Sequence, residues 1–298
     1  MDKKPIFEVT ENDVGQRLDN YLMKQRKHIE KSNWYKLIRK GLIRVNGKRV
    51  KPLHKLAARD AIRIPASIFF VESNKAKVDP KWQSDLMQHV VIEDKDYLLL
   101  NKPAGLAVHT GTGHKMGVIE IIGSIPGYEN TQLAHRLDKD TSGCLLLAKS
   151  RQALVRFQSA LKTQQVTKTY DALLLGALPA PVTVEQPLFT DHREGGIRTV
   201  LVDPRGKPAI SHFNPIVIQP SLSWVKCQIE TGRTHQIRVH AQYLGCPVLG
   251  DSLYGKSDST LDRSLYLHAS SLQFLSRDWQ VDVPDVFKQT FNQFQSVK

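Results

Sequence analysis

Between Tyr21 and Arg59 the chain sets thirteen lysines and arginines against a single acid, Glu30, for a net charge of +12. Residues 1–80 carry +10 and all the rest only +3, out of a total of +13. One short N-terminal segment must therefore fold with its charge outward. A one-signed cluster this dense can be a solvated, lysine-rich surface. It more often marks a polyanion partner, here nucleic acid or a ribosome.

The segment has the pattern of a small module. Leu18, Tyr21, Leu22 and Met23 form an apolar face at helical spacing. Ser32 is a good N-cap for a second helix that turns Trp34, Leu37 and Ile38 inward and ends at Gly41. Leu42–Val45, the turn Asn46-Gly47 and Lys48–Val50 read as a hairpin, because Asn-Gly between β-prone runs is the strongest local hairpin signal. Ala61–Ile64 alternates like a strand and stops at Pro65. The polar stretch 67–88 reads as a linker, so the expected division is residues 1–66 (core about 15–65), linker 67–88, and a second domain over 89–298.

Two domains suit a chain of 298 residues, at about 100–200 residues per domain. With 41% hydrophobic residues the chain can build a core rather than remain disordered. Apolar runs such as Cys144–Ala148 fall far short of the ~18 residues that span a bilayer. The first twenty residues lack the apolar stretch of a signal peptide. Cys144, Cys227 and Cys246 are odd in number and without a C-x-x-C pair, so they read as reduced, buried thiols. The expectation is a cytoplasmic protein with no membrane partner.

The second domain reads as short strands with few helices. Strands are expected at Val90–Ile92, Tyr97–Asn101, Leu145–Ala148, Tyr170–Leu175, His212–Ile218, Trp224–Ile229 and Leu265–Ala269. Helices are expected at Val118–Ile122, from a Ser150 cap to about Gln165, and at His235–Leu244 closed by Gly245. The fold class is α+β, with a mixed, largely antiparallel sheet.

Three polar clusters interrupt this pattern: His135-Arg136-Leu137-Asp138-Lys139-Asp140-Thr141-Ser142-Gly143, Lys168-Thr169-Tyr170 and Gly232-Arg233-Thr234-His235-Gln236-Ile237-Arg238. Each alone has an ordinary reading, as a charged turn, a half-buried tyrosine, or a helix start capped by Thr234. Asp138 and Asp140, two residues apart, could also share one side of an extended segment. Such a carboxylate pair would suit a glycosidic hydrolase. His109, His114, His135, His235 and His240 lack metal-ligand spacing, so no metal is expected.

Taken in order, HRLD-x-x-TSG, K-x-Y and GR-x-HQIR resemble the RluA-type pseudouridine synthases. Asn101-Lys102-Pro103-x-Gly105, Val108-His109, Gly250-Asp251-x-x-Tyr254-Gly255 and Leu267-His268-Ala269 fit the same pattern. Arg17-Leu18-Asp19, Leu37–Gly41, Val45-Asn46-Gly47 and Asp60-x-Ile62-x-Ile64 resemble an S4 RNA-binding domain. Arg59 stands where that family often has Gly, and Cys144 where the synthases usually have an aliphatic residue.

The resemblance implies isomerisation of uridine to pseudouridine: the N1–C1′ bond breaks, the uracil turns, and C5 takes the place of N1. No redox change or group donor enters, so no cofactor is expected. By resemblance, Asp138 is the nucleophile. Arg238 is its ion-pair partner, and a nearby guanidinium favours the ionised carboxylate. Tyr170 stacks on the base and lies near the proton leaving C5. Arg136 enters the space vacated by the flipped uridine, a transition costing a few kcal/mol. Ile237 and Leu267 wall the pocket, and His135 supports the loop. Lys36, Arg39, Lys40, Arg44, Lys48, Arg49 and Lys51 are the candidate RNA contacts, offering charge to the RNA backbone. Within the family the basic module most resembles the RluC type, which acts on large-subunit (23S) ribosomal RNA. The expected partner is that RNA or a precursor ribosomal particle, bound by a monomer. An RluD-like specificity and a non-catalytic RNA-binding or assembly factor on the same fold are the alternatives.

Overall fold

The computed structural model describes residues 5–26, 29–69, 78–110, 116–192, 198–255 and 264–295. It divides into two compact units, one of residues 1–79 with Ser150–Gln152, the other of residues 80–149 and 153–298. Part of the stretch read as linker, residues 70–77, lies outside the described residues, as does His114.

The first unit runs β1 (Ile6–Glu8), α1 (Leu18–Gln25), α2 (Lys31–Arg39), β2 (Arg44–Val45), β3 (Ala61–Arg63) and α3 (Ala66–Phe69). Its three strands form an antiparallel sheet in the order β1-β3-β2. The helical apolar face is buried as its spacing requires: Leu18, Tyr21, Leu22, Trp34 and Ile38 pack with Ile43, Val45, Leu56, Ile62 and Ile64, and Leu37 is partly buried.

Two local expectations fail here. The N-cap of α2 is Glu30 rather than Ser32, and the Ser32 hydroxyl instead donates to the Glu30 carboxylate. The hairpin also does not form. The turn itself exists: Val45 and Lys48 exchange backbone hydrogen bonds, and Asn46 and Gly47 take φ of 48° and 77°. Beyond the turn the chain leaves, and β2 pairs with β3. The Asn46 side chain explains the choice, since it donates to Asp60 and accepts from the Ala61 amide, tying the turn to the start of β3. Lys36, Arg39, Lys40, Arg44, Lys48, Arg49 and Lys51 are all exposed on this unit.

The second unit opens with α4 (Pro80–Met87), a helix inside the stretch read as linker, which buries Leu86. There follow β4 (Val90–Glu93), β5 (Tyr97–Lys102), α5 (Val118–Ile122), β6 (Gln132–Leu133), β7 (Ser142–Ala148), α6 (Arg151–Lys162) and β8 (Val166–Leu175). Next come β9 (Val182–Val184), β10 (Leu188–His192), β11 (Arg198–Val202), β12 (Ser211–Ile218), β13 (Leu222–Ile229) and α7 (Gln236–Tyr243). The unit ends with β14 (Leu267–Phe274), β15 (Arg277–Gln280) and α8 (Asp285–Gln295). A ten-stranded sheet has the order β4-β5-β7-β14-β8-β13-β12-β9, with β15 on β14 and β6 on β7. Among the described strands only β7 and β14 pair in parallel, so the sheet is mixed and largely antiparallel. β10 and β11 form a separate ribbon. No helix among the described residues is long and apolar enough to cross a membrane.

The centre of this sheet positions the polar clusters. All seven residues of β7 are buried, as expected for a central strand. Gly143 lies at φ +104°, and a Cβ there would sit 2.2 Å from the Ala269 carbonyl oxygen. Only glycine lets β7 approach β14 this closely. Ala269 in turn faces Tyr170 across β14 and β8, and Ser142 is joined to His268 at 2.8 Å. The loop before β7, the middle of β8 and the start of β14 are thereby held at one place.

Candidate active site

A cleft of about 590 Å³ opens there. It is lined by Arg136, Asp138, Tyr170, Ile237, Arg238 and Leu267, so every pocket residue expected from sequence meets in one cavity. Asp138 is half-buried in the loop between β6 and β7, and Arg136 is exposed at the rim. Asp140 is exposed and is not part of the lining. The two carboxylates therefore do not form a pair across the cleft.

The Arg238 guanidinium stands 3.8 Å from the Asp138 carboxylate. Its main partner is another acid: Nε and Nη2 each donate to Asp251 at 2.7 Å. Asp251 also accepts from the Leu253 and Tyr254 amides. Burial alone would raise its pKa, but Arg238 and these amides hold it below the usual value. Both charges are buried. This bidentate clamp fixes Arg238 geometrically, leaving Nη1 turned to Asp138. The expected pairing of Arg238 with Asp138 is thus a longer contact built on a tighter one.

His235 completes the surroundings. It sits immediately before α7 at φ +52°, and this left-handed turn brings its Nε2 to 3.9 Å from Asp138. Its Nδ1 meets the Tyr254 hydroxyl at 2.8 Å. Burial pushes the His235 imidazole towards its neutral form, against the pull of Asp138. The Tyr254 ring lies 5.1 Å beneath the Arg238 guanidinium. Sequence reasoning assigns Asp251, Tyr254 and His235 no role, although the Gly-Asp-x-x-Tyr-Gly string is visible in it.

Tyr170 is 6% exposed. Burial first, and the nearby Asp138 charge second, push its phenol up, so the hydroxyl is protonated at neutral pH. His135 accepts a hydrogen bond from the Leu146 amide, and burial pushes its imidazole down to about 3. A neutral ring holding the second half of β7 is a structural element.

Beneath the loop lies a residue of the Asn-Lys-Pro-x-Gly string to which sequence reasoning assigns no role. Lys102 is fully buried and its ammonium donates to the carbonyls of Pro103, Leu106 and Lys139. Burial pushes it down to about 8, partly offset by Asp140 and Asp138. Lys102→Met leaves the Pro103 and Leu106 carbonyls without this donor, at about 1–3 kcal/mol for each buried group, while the Lys139 carbonyl keeps only the Gly105 amide. It also frees the backbone next to Asp138. Urea melts should show lower stability, and turnover should fall roughly 10- to 100-fold. The sign with pH is also set. Between about 8 and the ordinary 10.5 the unfolded chain binds more protons than the folded one. The stability advantage of wild type over Lys102→Met should therefore grow with pH across that window.

Among the described residues no group of three or more His, Cys, Asp or Glu side chains could hold a metal ion.

A family model described as RNA pseudouridylate synthase matches residues 96–243, and one for the S4 domain matches residues 16–62. The chain is 41% identical over 283 residues to ribosomal large subunit pseudouridine synthase C of Escherichia coli (strain K12), covering 90% of this chain and 88% of the relative. It is 40% identical over 279 residues to the protein of the same name from Haemophilus ducreyi, covering 90% and 87%. Human RNA pseudouridylate synthase domain containing 4 shares the fold, with a TM-score of 0.60 and 23% identity over 72% of this chain and 95% of that one.

Proposed function

The chain belongs to the RNA pseudouridylate synthase family, and from that premise we propose that it isomerises specific uridines of large-subunit ribosomal RNA in the manner of the RluC type. The observation that carries the reading is Asp138, a half-buried carboxylate facing a cleft walled by Tyr170 and held 3.8 Å from a clamped arginine.

In this reading the flipped uracil stacks on Tyr170, an interaction worth about 1–3 kcal/mol. Ile237 and Leu267 close the apolar walls, and Arg136 at the rim fills the gap left in the RNA. Asp138 attacks as the nucleophile, and Arg238, clamped by Asp251, faces it across 3.8 Å rather than in a close pair. The protonated phenol of Tyr170 is a poor base while Asp138 is ionised. Bond formation consumes the Asp138 charge, which removes part of the upward push on the phenol. Tyr170 then takes the C5 proton only as its own hydroxyl proton passes to water, so that step belongs after the covalent one. None of these steps draws on a cofactor. The substrate is the RNA itself or a precursor particle, met by a monomer in the cytoplasm.

The exposed basic face of the N-terminal unit supplies the sequence-independent part of binding. Replacing Lys36, Arg39 and Arg44 together with Gln should flatten the dependence of log K on log salt by about two to three, at roughly 0.7–0.9 per phosphate contact. Filter binding over a salt series measures it, and an unchanged slope would move the RNA anchor elsewhere.

Nucleoside analysis tests the function. After incubation with a large-subunit ribosomal RNA transcript, pseudouridine should rise as uridine falls, with no free uracil. Free uracil would indicate a glycosidic hydrolase. Tight binding without either product would indicate a non-catalytic assembly factor.

A further inference from the structure

Lys168 is a half-buried lysine of β8 that lines the cleft and has no hydrogen-bond or ion-pair partner among the described residues. Arg136, Lys162 and Arg233, the other lysine and arginine residues of the lining besides Arg238, are exposed to solvent, whereas Lys168 is half-buried. Arg238 is clamped by Asp251, and Glu230 is bonded to His212 at 2.8 Å. Space for the ammonium is kept by a residue without a side chain: a Cβ on Gly232 would stand only 3.3 Å from Lys168 Nζ. A partly desolvated cation without a counter-ion is unfavourable unless something arrives to pair with it.

We infer that Lys168 holds a backbone phosphate of the RNA strand that delivers the uridine to Asp138. The inference deepens the proposed function and rests on it. Lys168 and Tyr170 point to the same side of β8, about 6.6 Å apart along the strand, a separation on the scale of one nucleotide. Tyr170 faces the base, so the cation meets the sugar–phosphate chain rather than the uracil. A compact, hydrated ammonium suits a phosphate oxygen, where a planar edge would call for arginine. The uncompensated charge becomes an address: the cleft is complete electrostatically only when a polyanion enters it.

The test uses the full-length protein and a large-subunit ribosomal RNA transcript. Lys168→Met should weaken equilibrium binding about tenfold. It should also flatten the salt slope by about 0.7–1, one phosphate contact. Turnover at subsaturating RNA should fall about as far as the affinity does, and Lys168→Arg should restore the slope. Gly232→Ala, which crowds the ammonium without removing it, should weaken binding in the same direction and guards against a folding defect in Lys168→Met. Wild-type salt slopes in both variants, or lost turnover with unchanged binding, would overturn the inference. Binding is read whether or not product forms. Absence of pseudouridine from the wild-type reaction would therefore count against the function, while the slopes would still decide the role of Lys168.

Discussion

Asp138→Asn should lower pseudouridine formation by about ten-thousand-fold or more while leaving RNA affinity within about threefold. The substitution is nearly isosteric, and the residue is half-buried rather than locked in the core. Arg238 keeps its bidentate partner Asp251, so no buried charge is stranded and the fold should survive. What disappears is the anionic oxygen of the proposed nucleophile, and an amide cannot replace it. Affinity should hold because the basic N-terminal surface is untouched, and one repulsive charge facing the phosphates is gone. RNA labelled with tritium at C5 of uridine reports the step, since that hydrogen leaves as a proton. Residual release near the wild-type rate would remove Asp138 from the chemistry.

Asp251→Asn should damage both stability and turnover, although Asp251 does not face the substrate. Its two oxygens accept four hydrogen bonds, two from Arg238 and two from backbone amides. An Asn places a donor where only donors already point, and leaves a buried guanidinium without its charge partner. Breaking such a pair costs about 3–5 kcal/mol, at about 2–4 °C of melting temperature per kcal/mol for a unit of this size. Freed from the clamp, Arg238 can close its 3.8 Å separation and pair directly with Asp138, pinning the nucleophile. Turnover measured well below the new midpoint should therefore fall roughly 100-fold. Full turnover in folded Asp251→Asn would mean that the clamp serves stability alone.

The local elements of this fold are legible in the sequence because their signals are local. The buried face of Leu18, Tyr21 and Leu22 follows from helical spacing, and the short helix at Val118–Ile122 and the strand ending at Ala148 follow from apolar runs. The fate of the chain after Asn46-Gly47 is not legible, because a turn signal says nothing of where the strand finds its partner. Asp60 and Ala61 settle that from fourteen and fifteen residues away. The helix Pro80–Met87 is hidden in a polar stretch whose main core contribution is Leu86.

The site divides in the same way. The motifs gather Arg136, Asp138, Tyr170, Ile237, Arg238 and Leu267 correctly into one cleft. The electrostatic wiring is not visible in them, because it depends on distances between segments. Arg238 reads equally well as a partner for Asp138 or Asp251 until the two separations are known. Lys102 looks like any lysine beside a proline, and nothing in its sequence neighbours foretells three carbonyl acceptors from two loops. The left-handed backbone of His235, which turns the ring towards Asp138, likewise has no signature in the residue itself.

Asp138 as the nucleophile of ribosomal RNA pseudouridylation is tested most directly by mapping. A large-subunit ribosomal RNA transcript would be incubated with wild type or with Asp138→Asn, without added metal or cofactor. Carbodiimide adducts would then be read as primer-extension stops. The expected result is stops at discrete uridines with wild type and none with Asp138→Asn. Stops of equal strength with both proteins, or none with wild type on RNA that it binds, would contradict it.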